Sequence, residues 1–293
     1  MNHFEKVFQC FPLEIQRQIE ALDRNTRNSV EEVRVYRGRE VWLMSKGEAI
    51  PLRGRIRDQD IANILSNLLK FSYYAYEEDL ARGFVTIDGG HRVGVCGKAV
   101  LDHNKVTLLR EVSSLNIRCG HEVIGCSDAL KHLFFQQNGR ISNLLITSPP
   151  GCGKTTLLRD IARSIGEKGC YRVSICDERS EIAGMHGGVS AYHFGPLTDV
   201  LDGCPKAEGM IMMIRAMTPD VIITDEIGRP EDIDAIKACR GSGVSVITST
   251  HGSDMEELQR QDTWKAIETG IFDHIVFLSN DPVIGTVKEV CHG

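Results

Sequence analysis

The sequence predicts an α/β protein of two domains: a smaller α+β domain over residues 1–125, followed by a parallel α/β domain over residues 126–293. Three observations predict this. After residue 125, apolar strand-like runs alternate with helical segments, the mark of a parallel sheet covered by helices. Before it, helical and hairpin patterns mix without that alternation. The 293 residues are also long for one compact domain and comfortable for two. With 42% hydrophobic and 25% charged residues the chain is globular, which excludes a disordered or fibrous class.

In order along the chain, Leu13, Ile15, Ile19 and Leu22 fall at helical spacing. Strand-like patterns follow at Val33-Arg34-Val35 and at Val41-Trp42-Leu43-Met44, then a second amphipathic helix from about Asp58 through Ile61, Ile64, Leu65, Leu68 and Leu69. Residues 84–99 read as a hairpin turning at Asp88-Gly89-Gly90. In the second domain the strand-like runs are 144–147, 172–176, 221–224, 244–249 and 274–278. Helices are expected over 128–137, 154–166, 206–217, 230–239 and 254–268. Segments 274–279 and 283–290, joined through Asn280-Asp281-Pro282, read as an antiparallel edge hairpin. No internal repeat or low-complexity tract stands out.

A formal net charge of −6 argues against a protein that works through a broadly basic surface on nucleic acid. Arg34, Arg37, Arg39, Lys46, Arg53, Arg55 and Arg57 do crowd one stretch, a pattern most often of a solvated strand face. The ten cysteines are scattered from Cys10 to Cys291 with no C-x-x-C pair, so small buried thiols are expected rather than disulfides. The start shows no apolar signal core, and no apolar run has membrane-spanning length. The expectation is a reduced, cytoplasmic protein, with membrane attachment through a partner left open.

Ser148-Pro149-Pro150-Gly151-Cys152-Gly153-Lys154-Thr155 carries the clearest chemistry. It follows the buried strand 144–147 and opens a helix, the context a phosphate-binding loop requires. Gly151 and Gly153 let backbone N–H groups turn toward phosphate oxygens at a helix N-terminus that favours anions. Pro149, Pro150, Gly151, Cys152, Gly153, Lys154, Thr155 and Thr156 are therefore the expected nucleotide-binding residues. Lys154 would reach the β- and γ-phosphates, and the Thr155 hydroxyl would ligate Mg²⁺. The strict motif has glycine where this chain has Ser148, which puts the entry geometry of the loop in question.

Three later strand ends point to the same edge. Val221-Ile222-Ile223-Thr224-Asp225-Glu226 brings two carboxylates to the C-terminal edge of the sheet, where α/β sheets bind ligands. Asp225 would hold Mg²⁺ through water, and Glu226 would polarise the attacking water. Asp177 and Glu178 end the strand after the loop helix, and Thr250-His251-Gly252 ends the strand after Glu226. In a RecA-type sheet this last strand lies between the loop strand and the acidic strand, which sets His251 beside the γ-phosphate.

The segments 149–160, Cys176-Asp177-Glu178-Arg179-Ser180-Glu181-Ile182 and Asp225-Glu226-Ile227-Gly228 resemble the stage III sporulation protein AA family. So do Gly83-Phe84-Val85-Thr86, Gly89-Gly90-His91-Arg92-Val93-Gly94 and residues 110–118 of the front half. That family is similar to the ATPases of type II and type IV secretion, hexameric rings with an N-terminal domain on a RecA-like P-loop NTPase domain. The resemblance implies ATP as the nucleotide, and a motor or assembly ATPase at the mother-cell face of the channel joining mother cell and forespore. It also implies a homo-hexamer docked on a membrane protein of that sporulation channel complex. By the same resemblance Asp177-Glu178 matches an acidic box and Thr250-His251 a histidine box, while Arg110 and Arg118 match N-terminal-domain arginines that reach the phosphates. Either arginine could instead pair with a neighbouring carboxylate. Asp225 departs from the secretion ATPases, which commonly carry glycine there; the metal arrangement it implies is nearer an ordinary P-loop ATPase.

Three other functions compete: a nucleic-acid-dependent P-loop ATPase, a small-molecule kinase and a nucleotide-binding scaffold without turnover. The acidic charge and the lack of an interleaved aromatic and basic strip weigh against the first. The Asp225-Glu226 pair and the absence of an arginine-rich lid weigh against the second. Altering Glu226 separates the third.

Overall fold

The computed structural model describes residues 3–120, 122–261, 264 and 270–293. The chain forms two compact units, one of Met1–His121 with Gly184–Ala191 and one of Glu122–Ala183 with Tyr192–Gly293.

In the first unit, three helices, α1 (His3–Phe8), α2 (Leu13–Glu20) and α3 (Arg24–Asn28), lead into strands β1 (Val30–Tyr36), β2 (Val41–Ser45) and β3 (Glu48–Leu52). Then come α4 (Asp58–Leu68), α5 (Glu77–Ala81), β4 (Phe84–Ile87), β5 (His91–Asp102) and β6 (Lys105–Arg118). Among the described residues the six strands make one antiparallel sheet in the order β3-β2-β1-β6-β5-β4. The hairpin expected at 84–99 is present, with Ile87 opposite His91 across the Asp88–Gly90 turn. Alternate residues Val33 and Val35 of β1, Val93 and Val95 of β5, and Leu115 and Ile117 of β6 face one core. Ile15 and Ile19 of α2 and Ile61, Ile64, Leu65 and Leu68 of α4 close that core at the spacing the sequence showed. Within the basic run, Arg34 pairs with Glu32 at 2.8 Å, and Arg37 donates to the Val112 carbonyl at 2.7 Å.

The second unit contains α6 (Lys131–Phe134), β7 (Leu144–Thr147), α7 (Lys154–Gly166), β8 (Val173–Asp177), β9 (Thr198–Asp202) and α8 (Lys206–Met217). It continues through β10 (Val221–Glu226), α9 (Pro230–Gly241), β11 (Ser245–Thr250), α10 (Met255–Gln259), β12 (His274–Ser279) and β13 (Thr286–His292). The sheet order is β13-β12-β7-β11-β10-β8-β9. All neighbours are parallel except the final pair, which is the expected edge hairpin. β7 and β8 are buried throughout, as strands covered on both faces must be. Helix α7 packs on β8, β10 and β11. The opposite face, with Leu145, Ile222, Val246 and Phe277, is covered by Met210 and Met213 of α8, Ile233 and Ile236 of α9, and Leu258 of α10.

Two helices differ from expectation. The segment 128–137 holds only a 3-10 turn, Asp128–Leu130, and α6, because Phe135 turns extended to bridge Ile141 while the Ser142 N–H donates to the Phe134 carbonyl. The helix expected over 254–268 is seen as α10, and residues 262, 263 and 265–268 of it lie outside the described residues.

Asp160 of α7 holds the chain that leads into β7. The Asp160 carboxylate accepts the Gly125 N–H at 3.0 Å, the Ser127 N–H at 2.7 Å and the Ser127 hydroxyl at 2.6 Å, and it pairs with Arg163 at 2.7 Å. Burial alone would raise this carboxyl; the Ser127, Gly125 and Arg163 donors outweigh it and hold it below the ordinary range. Asp160→Ala should destabilise the second unit by about 3 kcal/mol, because it leaves the Gly125 and Ser127 donors without their acceptor. A depressed carboxyl contributes stability that is complete at neutral pH and fades as pH falls through its lowered folded value. Denaturant unfolding should therefore show a gap between wild type and variant that is widest at neutral pH and closes in acid.

Candidate active site

The loop over residues 148–155 takes the shape its glycines permit. Gly151 has φ 77° and Gly153 φ 90°, left-handed values that a side chain resists. Ser148 is not among the residues of positive φ, so this position does not demand the motif glycine. It is fully buried; its hydroxyl donates to the Pro149 carbonyl at 2.8 Å and its carbonyl accepts from Lys154 Nζ at 3.0 Å. The departure from the strict motif is thus absorbed within the loop. Pro149, Pro150 and Gly151 are exposed, Cys152 is buried, and Thr155 and Thr156 are half-buried in the first turn of α7. That helix begins at Gly153 with no side-chain cap and no acidic residue in its first turn. Its leading N–H groups and positive dipole end suit a phosphate.

Lys154 is the centre of the arrangement. Only 6% of the residue is exposed, and Nζ lies 3.0 Å from the Ser148 carbonyl, 3.4 Å from the Pro149 carbonyl, 3.3 Å from His251 Nδ1 and 3.1 Å from Glu226 Oε1. Glu226 Oε2 meets His251 Nε2 at 2.9 Å. Strand register explains the convergence. β11 lies between β7 and β10, as a RecA-type sheet requires, with Thr250 opposite Thr147 and Ser249 opposite Glu226. β10 carries a bulge between Ile223 and Glu226, a device that re-aims side chains at strand ends. Gly252 then ties the tip of β11 to the loop: its N–H approaches the Ser148 carbonyl at 3.4 Å, and its carbonyl accepts the Thr147 hydroxyl at 3.0 Å. A Cβ at Gly252 would stand 2.9 Å from the Thr147 hydroxyl oxygen, too close for a side chain. Thr250 itself is buried and donates to the Ile227 carbonyl.

The other acidic residues are engaged differently. Asp177, fully buried, accepts the Glu181, Ile182 and Ala183 N–H groups at 2.9, 3.0 and 2.8 Å, so its carboxylate shapes the chain that follows β8. Burial pushes it up to about 6 despite those donors. Arg159 braces the same turn, donating to the carbonyls of Ile182 and Glu181 at 2.8 and 2.6 Å. Glu178 and Asp225 share one buried cation, the Lys206 ammonium, at 2.6 and 3.1 Å. Burial would lower Lys206, but the two carboxylates outweigh it and raise it; burial pushes Asp225 up to about 6 against the pull of the ammonium. A metal ion at Asp225 would therefore share that carboxylate with an ammonium group. Among the described residues no group of three or more His, Cys, Asp or Glu side chains could hold a metal by itself. Mg²⁺ commonly binds through one or two protein groups plus substrate phosphates, which is what Thr155 and Asp225 could offer.

Lys206 was not legible as a site residue. It opens α8 directly after Cys204-Pro205, and its partners lie 28 and 19 positions away in sequence. A lysine in the first turn of a helix, where the dipole disfavours a cation, is the signal that could have marked it.

Arg110 and Arg118 belong to β6 of the first unit, and both are exposed. Register against β5 shifts between Arg110 and Ser114, and Glu111 within the shift has φ 48°, so residues 110–114 form a bulge. Glu111, next to Arg110 in sequence, pairs with Lys98 at 3.9 Å, and Glu32, the β1 partner of Arg118, pairs with Arg34.

A family model described as Sporulation stage III, protein AA matches residues 1–292. The Stage III sporulation protein AA of Bacillus subtilis (strain 168) is 40% identical over 290 residues, 97% of this chain and 94% of that protein. Among solved structures, the pilus retraction motor PilT with bound ADP is similar at TM-score 0.60 and 15% identity, over 91% of this chain and 77% of that one. The Legionella pneumophila ATPase DotB is similar at TM-score 0.54 and 14% identity, over 90% of this chain and 74% of that one. At such identities these two likenesses show a shared fold, a RecA-like domain preceded by a smaller one. The match of the family model along residues 1–292 settles the descent: the chain belongs to the sporulation stage III protein AA family.

Proposed function

We propose that this chain is a Mg²⁺-dependent ATP hydrolase, the cytoplasmic motor or assembly ATPase of a secretion-like channel complex in endospore formation. The observation that carries the hydrolytic reading is Glu226, whose carboxylate stands between Lys154 and His251 at the mouth of the phosphate loop. The family, and the fold shared with a pilus retraction motor and the ATPase DotB, support the wider role. That role places the protein on the mother-cell side as a homo-hexamer held to a membrane protein of the complex. Among the described residues no helix is long and apolar enough to cross a membrane, so attachment would come through that partner.

Each residue then has a task. The N–H groups of 151–156 and the Lys154 ammonium would bind the phosphates, the ammonium exchanging its loop carbonyls for phosphate oxygens. Thr155, with Asp225 through water, would hold Mg²⁺, which when bound offsets the negative charge on the β- and γ-phosphates. Glu226 would accept the proton of the attacking water. His251, bonded to the same carboxylate, would orient it, and through Gly252 would follow any movement of the loop. Lys206 would keep the ends of β8 and β10 in register by holding Glu178 and Asp225 together. Arg110 and Arg118 would bring positive charge to the phosphates from the first unit, making turnover depend on domain position.

Glu226→Gln should leave ATP affinity within about threefold and lower the rate of phosphate release by at least about a hundredfold. Lys154→Ala should weaken ATP binding itself by more than about tenfold. Unchanged turnover in Glu226→Gln, read by phosphate release beside equilibrium binding, would refute the assignment. Arg110→Ala and Arg118→Ala should each lower kcat by about a hundredfold with the fold of both units intact by circular dichroism. Lys206→Met should leave the buried Asp225 carboxylate and the half-buried Glu178 without this ammonium and lower stability by about 3 kcal/mol; the loss should shrink as pH falls and those carboxylates protonate. Denaturant midpoints at two pH values check it.

A further inference from the structure

We infer that the loop joining β12 to β13, through Val283 and Ile284, is the surface that takes the nucleobase of the nucleoside triphosphate. This rests on the proposal that the loop at 148–155 holds the phosphates. Parallel pairing sets Phe277 of β12 opposite Thr147 of β7, so residues 280–285 leave the sheet at the same edge as the phosphate loop. The two loops touch. A Cβ placed on Gly153 would lie 3.3 Å from Ile284 Cγ2 and 3.7 Å from the Gly285 backbone. Ile284 therefore packs on the face of Gly153 that lacks a side chain.

The loop is built to hold that position. The Asp281 N–H donates to the Ser279 hydroxyl at 3.0 Å, and the Gly285 N–H to the Ser279 carbonyl at 3.2 Å. The Thr286 N–H and hydroxyl both donate to the Val283 carbonyl, at 3.1 and 2.7 Å. So fixed, Val283 and Ile284 stay 66% and 62% exposed although both are aliphatic. An exposed aliphatic pair costs hydration free energy unless something apolar covers it. Beside a phosphate cradle, the apolar part of the expected ligand is its base. The N–H groups of a phosphate loop hold only the phosphates, so the base needs a surface of its own, and ligand sites typically join a few polar anchors to an apolar wall. The side chains of Val283 and Ile284 carry no hydrogen-bonding group, so their contact serves adenine and guanine alike. That also explains why the sequence shows no base-reading motif.

The test uses the full chain and the double variant Val283→Ser with Ile284→Ser, whose exposed positions leave the core untouched. Isothermal titration with Mg–ATP, Mg–GTP and magnesium tripolyphosphate reads the base and phosphate contributions separately, and sedimentation velocity reads assembly. The expected result is a loss of about tenfold in affinity for both ATP and GTP, with tripolyphosphate affinity changed by less than about twofold. Equal weakening of tripolyphosphate would overturn the inference, because the loop would then act by shaping the phosphate cradle. Unchanged ATP and GTP affinity with loss of assembly would also overturn it, and would give the pair to a neighbouring copy of the chain. If the wild-type chain bound neither ATP nor tripolyphosphate, the nucleotide reading itself would fail, a result distinct from either of those.

Discussion

The site depends on one buried ammonium group. Removing the charge of Lys154 from water costs several kcal/mol, and only close oxygen atoms offset that cost. The chain provides them from two places at once: the Ser148 and Pro149 carbonyls of its own loop, and the Glu226 carboxylate of a strand more than 70 residues away. His251, from a third strand, completes the group. This cation therefore gathers three elements that the parallel sheet has brought to one edge. A phosphate offers the same oxygen chemistry with more charge, so the arrangement that stabilises the lysine is also one that a nucleotide can take over.

The sheet makes this possible by burying its central strands. Strands covered on both faces have no freedom to slide, because a shift of one residue would move every side chain out of the space packed around it. The register Thr147–Thr250 and Ser249–Glu226 is held in this way, and the bulge in β10 adds the one local adjustment that aims Glu226. Asp177, Arg159 and Lys206 then fix the chain around β8 and β10 from the other side. Glu226 and Asp225 are adjacent in sequence yet serve different cations, Lys154 and Lys206.

Much of this was legible beforehand because it rests on local signals. Glycines followed by Lys-Thr between a buried strand and a helix mark the proposed phosphate loop, and three apolar residues and a threonine ending in Asp-Glu mark β10. The place of β11 between β7 and β10 followed from the expected sheet type. What the residues did not reveal depends on contacts distant in sequence or on weak patterns. β9 reads Thr-Asp-Val-Leu-Asp, a polar edge strand without an apolar run. β6 is interrupted by the Glu111 bulge, which breaks its period of two. Lys206 acquires its meaning only when α8 brings it to the ends of two strands, and the contact between Ile284 and Gly153 exists only once β12 lies beside β7. Ser148 departs from the motif, but the loop absorbs it because that position needs no left-handed backbone.

The most direct measurement is the steady-state release of inorganic phosphate from Mg–ATP by the purified wild-type chain, run beside ATP binding under the same conditions. Saturable release that requires Mg²⁺, with half-saturation in the range where ATP binds, is the result that a hydrolytic site built on Lys154, Glu226 and His251 predicts. Tight ATP binding with no release, in the isolated chain and in its assembled form alike, would contradict it and leave a nucleotide-binding scaffold in its place.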